Sequence, residues 1–462
     1  MKEKALTAND KNIRRVAIAG GVGTALEQFD FVSYGLAAAL VFPQVFFPND
    51  ADPLVGALKA FIGYAVGFCA RPIGGLIFSH FGEKLGRKWV LFGTLALMGS
   101  ATFLIGCIPS YTIIGQWAAI ILFVLRFLQG MGAGAEQAGS ATLLTETAKV
   151  GTRGRLASSV MIGAAAGVVL GTLIFALLQL VVPESAMVAW GWRIPFLFSI
   201  LVTGAAFLIR AHIAESPVFE YVKKEASKKY ETNKAPVSEA FKYGWRTILK
   251  VFFMNWGPNT QSYIVQTFFV TFVTTKVIVG TTSAGESIFF SKPLITNIQL
   301  VGAIIGMASS FFWGYISDKI GRKKPTVFIA SISIVLPFIY FSFLDSGLTI
   351  LVAISVFLGY IFAAYGSVGI QMSYFPELFG SKYRYAGMTI ARELSSVIGG
   401  GIAPLISAAL LAATSSWLPV AIYAATTMLF SAIASFISPE TLNRDLTIPA
   451  DAVKGEYKKI TS

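Results

Sequence analysis

Two carboxylates and one arginine lie inside long apolar stretches of this sequence. Glu27 and Asp30 are three residues apart, so a helix places both on one face. Arg126 lies near the middle of another apolar stretch. Because a charge inside a membrane costs at least about 2.5–3.5 kcal/mol, each of these groups needs a partner or a function.

These three side chains could form a proton switch. Burial in a dry cavity favours the protonated form of a carboxyl, whereas a nearby guanidinium favours the charged form. If a substrate anion or solvent competes for Arg126, the released carboxyl takes up a proton, and proton movement is then coupled to transport. The alternative is a permanent salt bridge that only joins two helices. Of the two acids, we favour Asp30 for the coupling role.

The composition indicates that lipid surrounds most of the chain. Of its 462 residues, 55% are apolar and 13% charged, and the mean hydropathy is +0.67. Soluble domains contain about 25% charged residues, which excludes a soluble protein of this length. Disorder is excluded by the same numbers, and the two cysteines exclude a disulfide scaffold.

Twelve apolar runs are long enough to cross a bilayer, which needs about 20 residues per helix. We number them spans 1 to 12, and they predict an all-α membrane protein. The predicted spans are 16–42, 57–78, 89–108, 117–140, 156–182, 193–212, 247–275, 293–316, 326–344, 348–371, 386–414 and 418–438.

The basic residues predict the orientation of the spans. With the N-terminus inside, 28 of the 37 lysine and arginine residues fall on inner segments and 4 on outer ones. This asymmetry is the positive-inside pattern, so the net charge of +13 reflects topology and gives little support to nucleic-acid binding. We therefore expect a multi-pass protein of the cell (cytoplasmic) membrane with both termini in the cytoplasm.

Internal similarity divides the chain into two six-span halves. Three patterns recur in order: Glu83 with Arg87 at an offset of 235 residues, Glu146 with Arg153 at 231, and Glu215 at 225. We predict two pseudo-symmetric six-helix bundles that face a central cavity, as in secondary transporters. The predicted domains are 1–212 (first bundle), 213–246 (cytoplasmic linker), 247–440 (second bundle) and 441–462 (cytoplasmic tail).

The repeated charges near the cytoplasmic ends predict a gate. The arginines of the two loops can bridge to the acids that follow spans 4 and 10, which would hold the inner side shut. The alternative is a pair of solvated loops that only determine topology. The predicted gate residues are Glu83, Arg87, Glu146, Arg153, Asp318, Arg322, Glu377 and Arg384.

Several polar residues within spans are candidates for substrate binding. Arg71 could hold a substrate carboxylate in a bidentate fork, or it could cap helix ends or pair with Glu136. Asn255, Asn259 and Tyr263 share one face of span 7, and hydrogen bonding between helices is the alternative role. The weaker candidates lie on span 10: Tyr360, Tyr365 and Gln371.

Glycines also pattern one of the spans. Gly163, Gly167 and Gly171 recur every fourth residue in span 5. Small residues at this spacing predict close packing against a neighbouring helix.

Several motifs resemble the major facilitator superfamily. The Asp/Glu-Lys-x-Gly-Arg-Lys loops at 83–88 and 318–323 are similar to its signature. Within it, the chain resembles the metabolite:proton symporters, which include shikimate, dicarboxylate and proline/betaine carriers. The resemblance implies the twelve-helix fold, a coupling role for Glu27, Asp30 and Arg126, and a substrate-binding role for Arg126 and Gln129. The further stretches that carry it are 26–31, 70–75, 126–130, 190–196, 215–219 and 377–387.

Missing motifs narrow the function. The sequence has no GxxxxGK[ST] run, no metal-ligand pattern and no catalytic motif, so we expect no enzyme, cofactor or metal, and the proton gradient as energy source. The predicted function is an alternating-access proton symporter that imports a small hydrophilic metabolite, an organic acid anion in preference. The alternatives are a proline or betaine symporter, and a proton-antiporting exporter or facilitator. The expected partners are substrate, protons and lipid, for a monomeric protein.

Overall fold

The structure is a computed structural model that describes residues 10–47, 53–228, 236–281 and 287–452. It is almost entirely helical, and spans 1 to 6 correspond to six long helices. These are Asp10–Leu40, Pro53–Lys84, Arg87–Cys107, Trp117–Thr147, Ser159–Val181 and Arg193–Ala211.

Spans 7 to 12 are also helical, and three of them contain a π-helical turn. Span 7 runs through Pro236–Tyr263, Ile264–Phe268 (π) and Phe269–Thr275. Spans 8, 9 and 12 are Lys292–Ile320, Lys323–Asp345 and Leu418–Phe436. Span 10 is Thr349–Leu358, Gly359–Ala364 (π) and Gly366–Leu378, and span 11 is Arg384–Ser396, Val397–Gly401 (π) and Ala403–Thr414.

Shorter elements connect the spans. A two-stranded antiparallel hairpin, Ile278–Thr281 with Ser287–Phe289, lies between spans 7 and 8. The linker after span 6 contains the helix Pro217–Lys228. The remaining short helices are Phe42–Phe46, Tyr111–Ile114, Arg153–Ala157, Glu184–Ala186 and the π-helical turn Met187–Gly191.

Twelve membrane helices match the twelve predicted spans. Among the described residues, nine helical segments are long and apolar enough to cross a membrane by length and composition. The helices of spans 1, 2 and 7 complete the set, and spans 1 and 7 are more polar because they carry the candidate functional residues. Helices satisfy all their backbone hydrogen bonds internally, as lipid requires.

The chain forms two compact units. The first comprises 1–147 and 162–238, and the second comprises 148–161 and 239–462. The second unit thus includes a short segment that follows span 4 in the sequence. The predicted limits of the linker and the tail stay a prediction.

The first unit contains an aromatic core at the C-terminal end of span 1. Phe42, Phe46, Trp192 and Phe196 are all fully buried. The Phe42 and Trp192 rings meet edge to face, with centroids 5.5 Å apart. This cluster anchors span 1 to the start of span 6.

Close backbone packing positions span 1 against span 5, as the glycine spacing predicts. A Cβ atom added at Gly163 would lie 1.9 Å from the carbonyl oxygen of Gly21, and one at Gly167 would lie 2.1 Å from that of Ala25. These positions have no room for a side chain, because a backbone carbonyl cannot rotate away. The prediction of close packing is confirmed.

We expect Gly163→Ala to destabilise the protein by roughly 1–3 kcal/mol, because the new methyl group forces spans 1 and 5 apart. Thermal unfolding of the purified protein in nanodiscs measures the effect. Gly204→Ala on span 6 is the matched control, since a Cβ there meets nothing within 4 Å and alanine favours a helix. Equal melting temperatures for the two variants would contradict the packing argument.

Candidate functional site

A hydrogen-bonded chain links Asp30 to Arg126 inside the first unit. The Thr102 hydroxyl lies 2.7 Å from Asp30 Oδ2, and Gln129 Nε2 donates to Thr102 Oγ1 at 2.7 Å. Gln129 Oε1 in turn accepts a hydrogen bond from Arg126 Nη1. Asp30, Thr102, Gln129 and Arg126 are all fully buried. Spans 1, 3 and 4 are therefore joined at one polar site.

Arg126 is also surrounded by aromatic rings. Its guanidinium lies 4.4 Å from the Phe31 ring centroid and 4.2 Å from that of Tyr34, which are favourable cation–π distances. A Cβ atom added at Gly67 of span 2 would lie 2.9 Å from Arg126 Nε, so this glycine makes room for the guanidinium. The charge of Arg126 acts electrostatically on Asp30.

Glu27 has a different arginine as its partner. Arg71 Nη1 lies 2.9 Å from Glu27 Oε1, and Gln137 Nε2 donates to the same oxygen at 3.3 Å. Glu27 is fully buried and Arg71 is 5% exposed, with the rings of Phe31 and Phe68 at 5.4 and 5.8 Å. The two acids of span 1 thus belong to two separate arginine sites.

A second buried ion pair, between Glu136 and Arg210, was not found by sequence reasoning. Arg210 Nη2 bonds Glu136 Oε1, and Nη1 lies 3.1 Å from Oε2. Thr94 and Ser140 donate to the same carboxylate at 2.9 and 3.3 Å. The suggested pairing of Arg71 with Glu136 is wrong, because Glu136 binds the arginine of span 6. The available signal was a glutamate deep in span 4 with no assigned partner.

On span 7, the predicted polar face bonds to span 11. Asn255 Nδ2 donates to Ser395 Oγ at 2.6 Å, and Asn259 Nδ2 donates to Ser396 Oγ at 3.2 Å. Tyr263 packs at Gly400, where an added Cβ would lie 2.7 Å from its ring. These contacts match the alternative of hydrogen bonding between helices, and substrate binding by this face stays a prediction.

Tyr365 lies at the end of the π-helical turn in span 10. Its ring stacks on Tyr360 with centroids 5.8 Å apart, and both side chains are buried. An added Cβ at Gly306 would lie 2.6 Å from the Tyr365 ring, so the pair packs on the glycine surface of span 8. The structure does not bring Tyr365 into contact with Asn255 or Asn259 through any hydrogen bond of the described residues.

The predicted gate residues form one cluster in each unit. Arg87 binds Glu83 at 2.9 Å and Glu146 at 3.4 Å. Arg322 binds Asp318 at 2.8 Å and Glu377 at 3.2 Å. Both expected arginine–acid bridges are therefore present, at matching positions of the internal repeat.

A glutamate completes each cluster by capping a helix. Glu215 accepts from the backbone N–H groups of Arg87 and Lys88, both at 3.1 Å, and Glu440 accepts from those of Arg322 and Lys323 at 2.7 and 3.1 Å. A negative charge at a helix N-terminus is favourable. Burial raises the pKa of the Glu215 carboxyl, and hydrogen bonds together with the charge of Arg87 oppose that rise.

Glycine is required where each cap approaches the helix. Gly86 has φ of +120° and Gly321 has φ of +101°, a region that residues with a Cβ rarely adopt. An added Cβ would also lie 2.1 Å from Glu215 Oε2 and 2.3 Å from Glu440 Oε2, respectively. The glycine of the loop motif therefore makes the cap possible.

The last two gate candidates bind backbone carbonyls in the second unit. Arg153 Nη1 donates to the Arg444 carbonyl at 2.7 Å and lies 4.0 Å from Glu377. Arg384 donates to the carbonyls of Pro376 and Leu446 at 3.0 and 2.7 Å. Both arginines thus hold the segment after span 12 in place.

The family model described as "Sugar (and other) transporter" matches residues 20–450. The chain belongs to this transporter family. The family lies within the major facilitator superfamily, so the resemblance drawn from the sequence motifs is confirmed, and with it the twelve-helix fold in two bundles.

Relatives and solved structures agree with this assignment. The chain is 34% identical to the shikimate transporter of Escherichia coli (strain K12), over 93% of this chain and 95% of that protein. It is 29% identical to a putative proline/betaine transporter of Staphylococcus aureus (strain COL), over 99% and 94%. The proton:xylose symporter XylE superposes with a TM-score of 0.76 over 98% and 100% of the two chains, at 15% identity, which concerns the fold alone. The protein is a multi-pass membrane transporter and not an enzyme.

We expect Glu215→Ala and Glu440→Ala each to destabilise the transporter by about 1 kcal/mol, because each removes the cap of a membrane helix. The glutamine variants should lose less, since an amide oxygen still accepts from one N–H group. Thermal unfolding measures both effects, with Glu220→Ala on the exposed face of the linker helix as the control. If that control falls as far as the cap variants, the helix caps do not explain the loss.

Proposed function

We propose that this transporter imports a small organic acid anion together with protons. The observation that carries the proposal is the buried chain from Asp30 through Thr102 and Gln129 to Arg126. It puts a carboxyl that can change its charge within reach of a guanidinium that can bind an anion, inside a membrane span.

The two parts of this chain can affect each other through charge. Arg126 stabilises the charged form of Asp30 electrostatically. An anion that binds Arg126 cancels part of that effect, and the carboxyl then takes up a proton from the side to which the site is open. Binding of the anion and of the proton favour each other, which is what symport requires.

Arg71 supports an anionic substrate. Its partner Glu27 carries the same carboxylate group that an organic acid presents, at 2.9 Å from Arg71 Nη1. A substrate carboxylate can therefore replace Glu27 with the same geometry, and the released Glu27 becomes a second site for a proton. The kinship with a shikimate transporter supports this substrate class.

The remaining roles follow from the same proposal. The arginine–acid clusters around Arg87 and Arg322 act as the cytoplasmic gate, which closes after the substrate leaves. The transporter resides in the cell membrane as a monomer with both termini in the cytoplasm, and the proton gradient replaces any cofactor.

A zwitterionic osmolyte is the second candidate substrate. The kinship with a putative proline/betaine transporter favours it, and a carboxylate of proline or betaine could also bind Arg71. The two substrate classes differ in net charge, so a binding screen separates them.

We expect Asp30→Asn to abolish uphill uptake in proteoliposomes while exchange of substrate across the membrane persists, because the amide cannot carry a proton. Uptake of radiolabelled shikimate with and without an imposed proton gradient measures the two modes. Glu27→Gln should weaken uptake less and also change the apparent affinity, since Glu27 competes for Arg71. Full uphill uptake by Asp30→Asn would refute proton coupling through this residue, and an exporter or a facilitator would then account better for the transporter.

Substrate class is tested by thermal shift of the purified transporter. We expect organic acids such as shikimate or a dicarboxylate to raise the melting temperature, and proline and betaine to leave it unchanged. Arg71→Gln should lose the shift, because it removes a charged partner worth about 1.5–3 kcal/mol. Arg15→Gln at the start of span 1 is the matched control. A shift produced only by betaine or proline would replace the anion with the osmolyte.

A further inference from the structure

We propose that the Thr102 hydroxyl is a positioning group that accommodates Asp30 in both its charged and its protonated form. The proposal rests on the proposed function, because it concerns how the same carboxyl binds and releases its proton. It assigns a specific part to span 3, which carries none of the residues predicted to couple protons.

Three polar atoms surround the Thr102 hydroxyl at hydrogen-bond distance. Oγ1 lies 2.7 Å from Asp30 Oδ2 and 2.8 Å from the carbonyl oxygen of Met98. Gln129 Nε2 donates to it at 2.7 Å. A hydroxyl has one hydrogen to donate and two lone pairs to accept with. Thr102 therefore cannot donate to Asp30 and to Met98 at the same time.

The charge of Asp30 decides between the two acceptors. When Asp30 is charged, it only accepts, so Thr102 donates to Oδ2 and accepts from Gln129. When Asp30 binds a proton from the aqueous side, its O–H donates to Thr102 Oγ1, and the Thr102 hydrogen turns to the Met98 carbonyl. In both states Oγ1 makes a full set of bonds, and release of the proton to the opposite aqueous side restores the first state.

This rotation avoids the cost of an unsatisfied buried group. Leaving a buried donor or acceptor without a partner costs about 1–3 kcal/mol, and more for a charged one. Asp30 and Thr102 are both fully buried, so water cannot easily supply the bond. The bond from Gln129 is kept in both states, and Gln129 in turn binds Arg126. The arginine is thus held while the charge of Asp30 changes.

The charged groups that act on this site lie on three spans. Glu27 on span 1 and Arg126 on span 4 both act on Asp30. Arg71 on span 2 binds Glu27 and reduces its influence. Thr102 is the contribution of span 3, and it is neutral.

Span 3 contains a natural comparison at Thr94. Its hydroxyl also lies near a carboxylate and a carbonyl of its own helix, at 2.9 Å from Glu136 Oε2 and 3.1 Å from the Leu91 oxygen. Glu136, however, is bound by both terminal nitrogens of Arg210 and by Ser140. The charge of that carboxylate is already neutralised, so Thr94 has no second state to serve.

The test is an infrared pH titration of the purified transporter in liposomes, without substrate or gradient. The band of the protonated Asp30 carboxyl is the one that Asp30→Asn removes. In Thr102→Val, the charged form loses its donor, so we expect the band to persist to a pH higher by about one unit. Thr102→Ser keeps the hydroxyl and Thr94→Val keeps Thr102, and both should titrate like the wild type.

Uptake by the same variants gives a second measurement. We expect Thr102→Val to lower gradient-driven shikimate uptake about tenfold relative to exchange, and Thr102→Ser to restore the ratio. If Thr102→Val does not fold, Thr102→Ala makes the same test with a smaller side chain.

Three results would overturn the role of Thr102. They are a wild-type titration in Thr102→Val, a shift of equal size in Thr102→Ser, and a shift of equal size in Thr94→Val. The proposed function fails on a different result, namely wild-type uptake that ignores the proton gradient. The infrared titration still judges Thr102 in that case, because it needs no transport.

Discussion

The low dielectric of the membrane interior forces the charged groups of the first unit into specific bonds. A charge within a span costs several kilocalories per mole unless a partner neutralises it, so Glu27 pairs with Arg71 and Glu136 pairs with Arg210. Asp30 differs from these acids, because its printed hydrogen bond comes from a neutral hydroxyl and its link to Arg126 passes through Gln129. A carboxyl held in this way can lose or gain a proton at less cost than one that is bound directly by a guanidinium.

The internal repeat acquires a physical meaning at the ends of spans 2 and 8. Three sequence patterns, which lie more than 50 residues apart in each half, meet at one arginine and one helix N-terminus. Arg87 binds Glu83 and Glu146 while Glu215 caps the helix that begins there, and the second unit repeats this arrangement around Arg322. Conserving the geometry of this cluster in both halves explains why the offsets of 235, 231 and 225 residues are so similar.

Glycine positions connect the packing of the spans with the polar site. Gly163 and Gly167 bring span 5 against the backbone of span 1, which carries Glu27 and Asp30. Gly67 leaves space for the Arg126 guanidinium beside span 2. Small residues therefore decide how deeply the charged side chains are enclosed, and the enclosure gives their bonds their strength.

The sequence by itself determined the number of spans, their order, the two-fold repeat and the charged residues that required partners. Length, hydropathy and spacing depend only on local chain properties, so twelve helices and the Arg87–Glu146 and Arg322–Glu377 bridges were predictable. Only the tertiary structure decided which acid meets which arginine. Glu27 turns to Arg71, Glu136 to Arg210, and Asp30 reaches Arg126 through Thr102 and Gln129. These choices depend on the rotation of each helix about its axis and on the neighbour it packs against, and helical periodicity does not specify which faces of distant spans will meet.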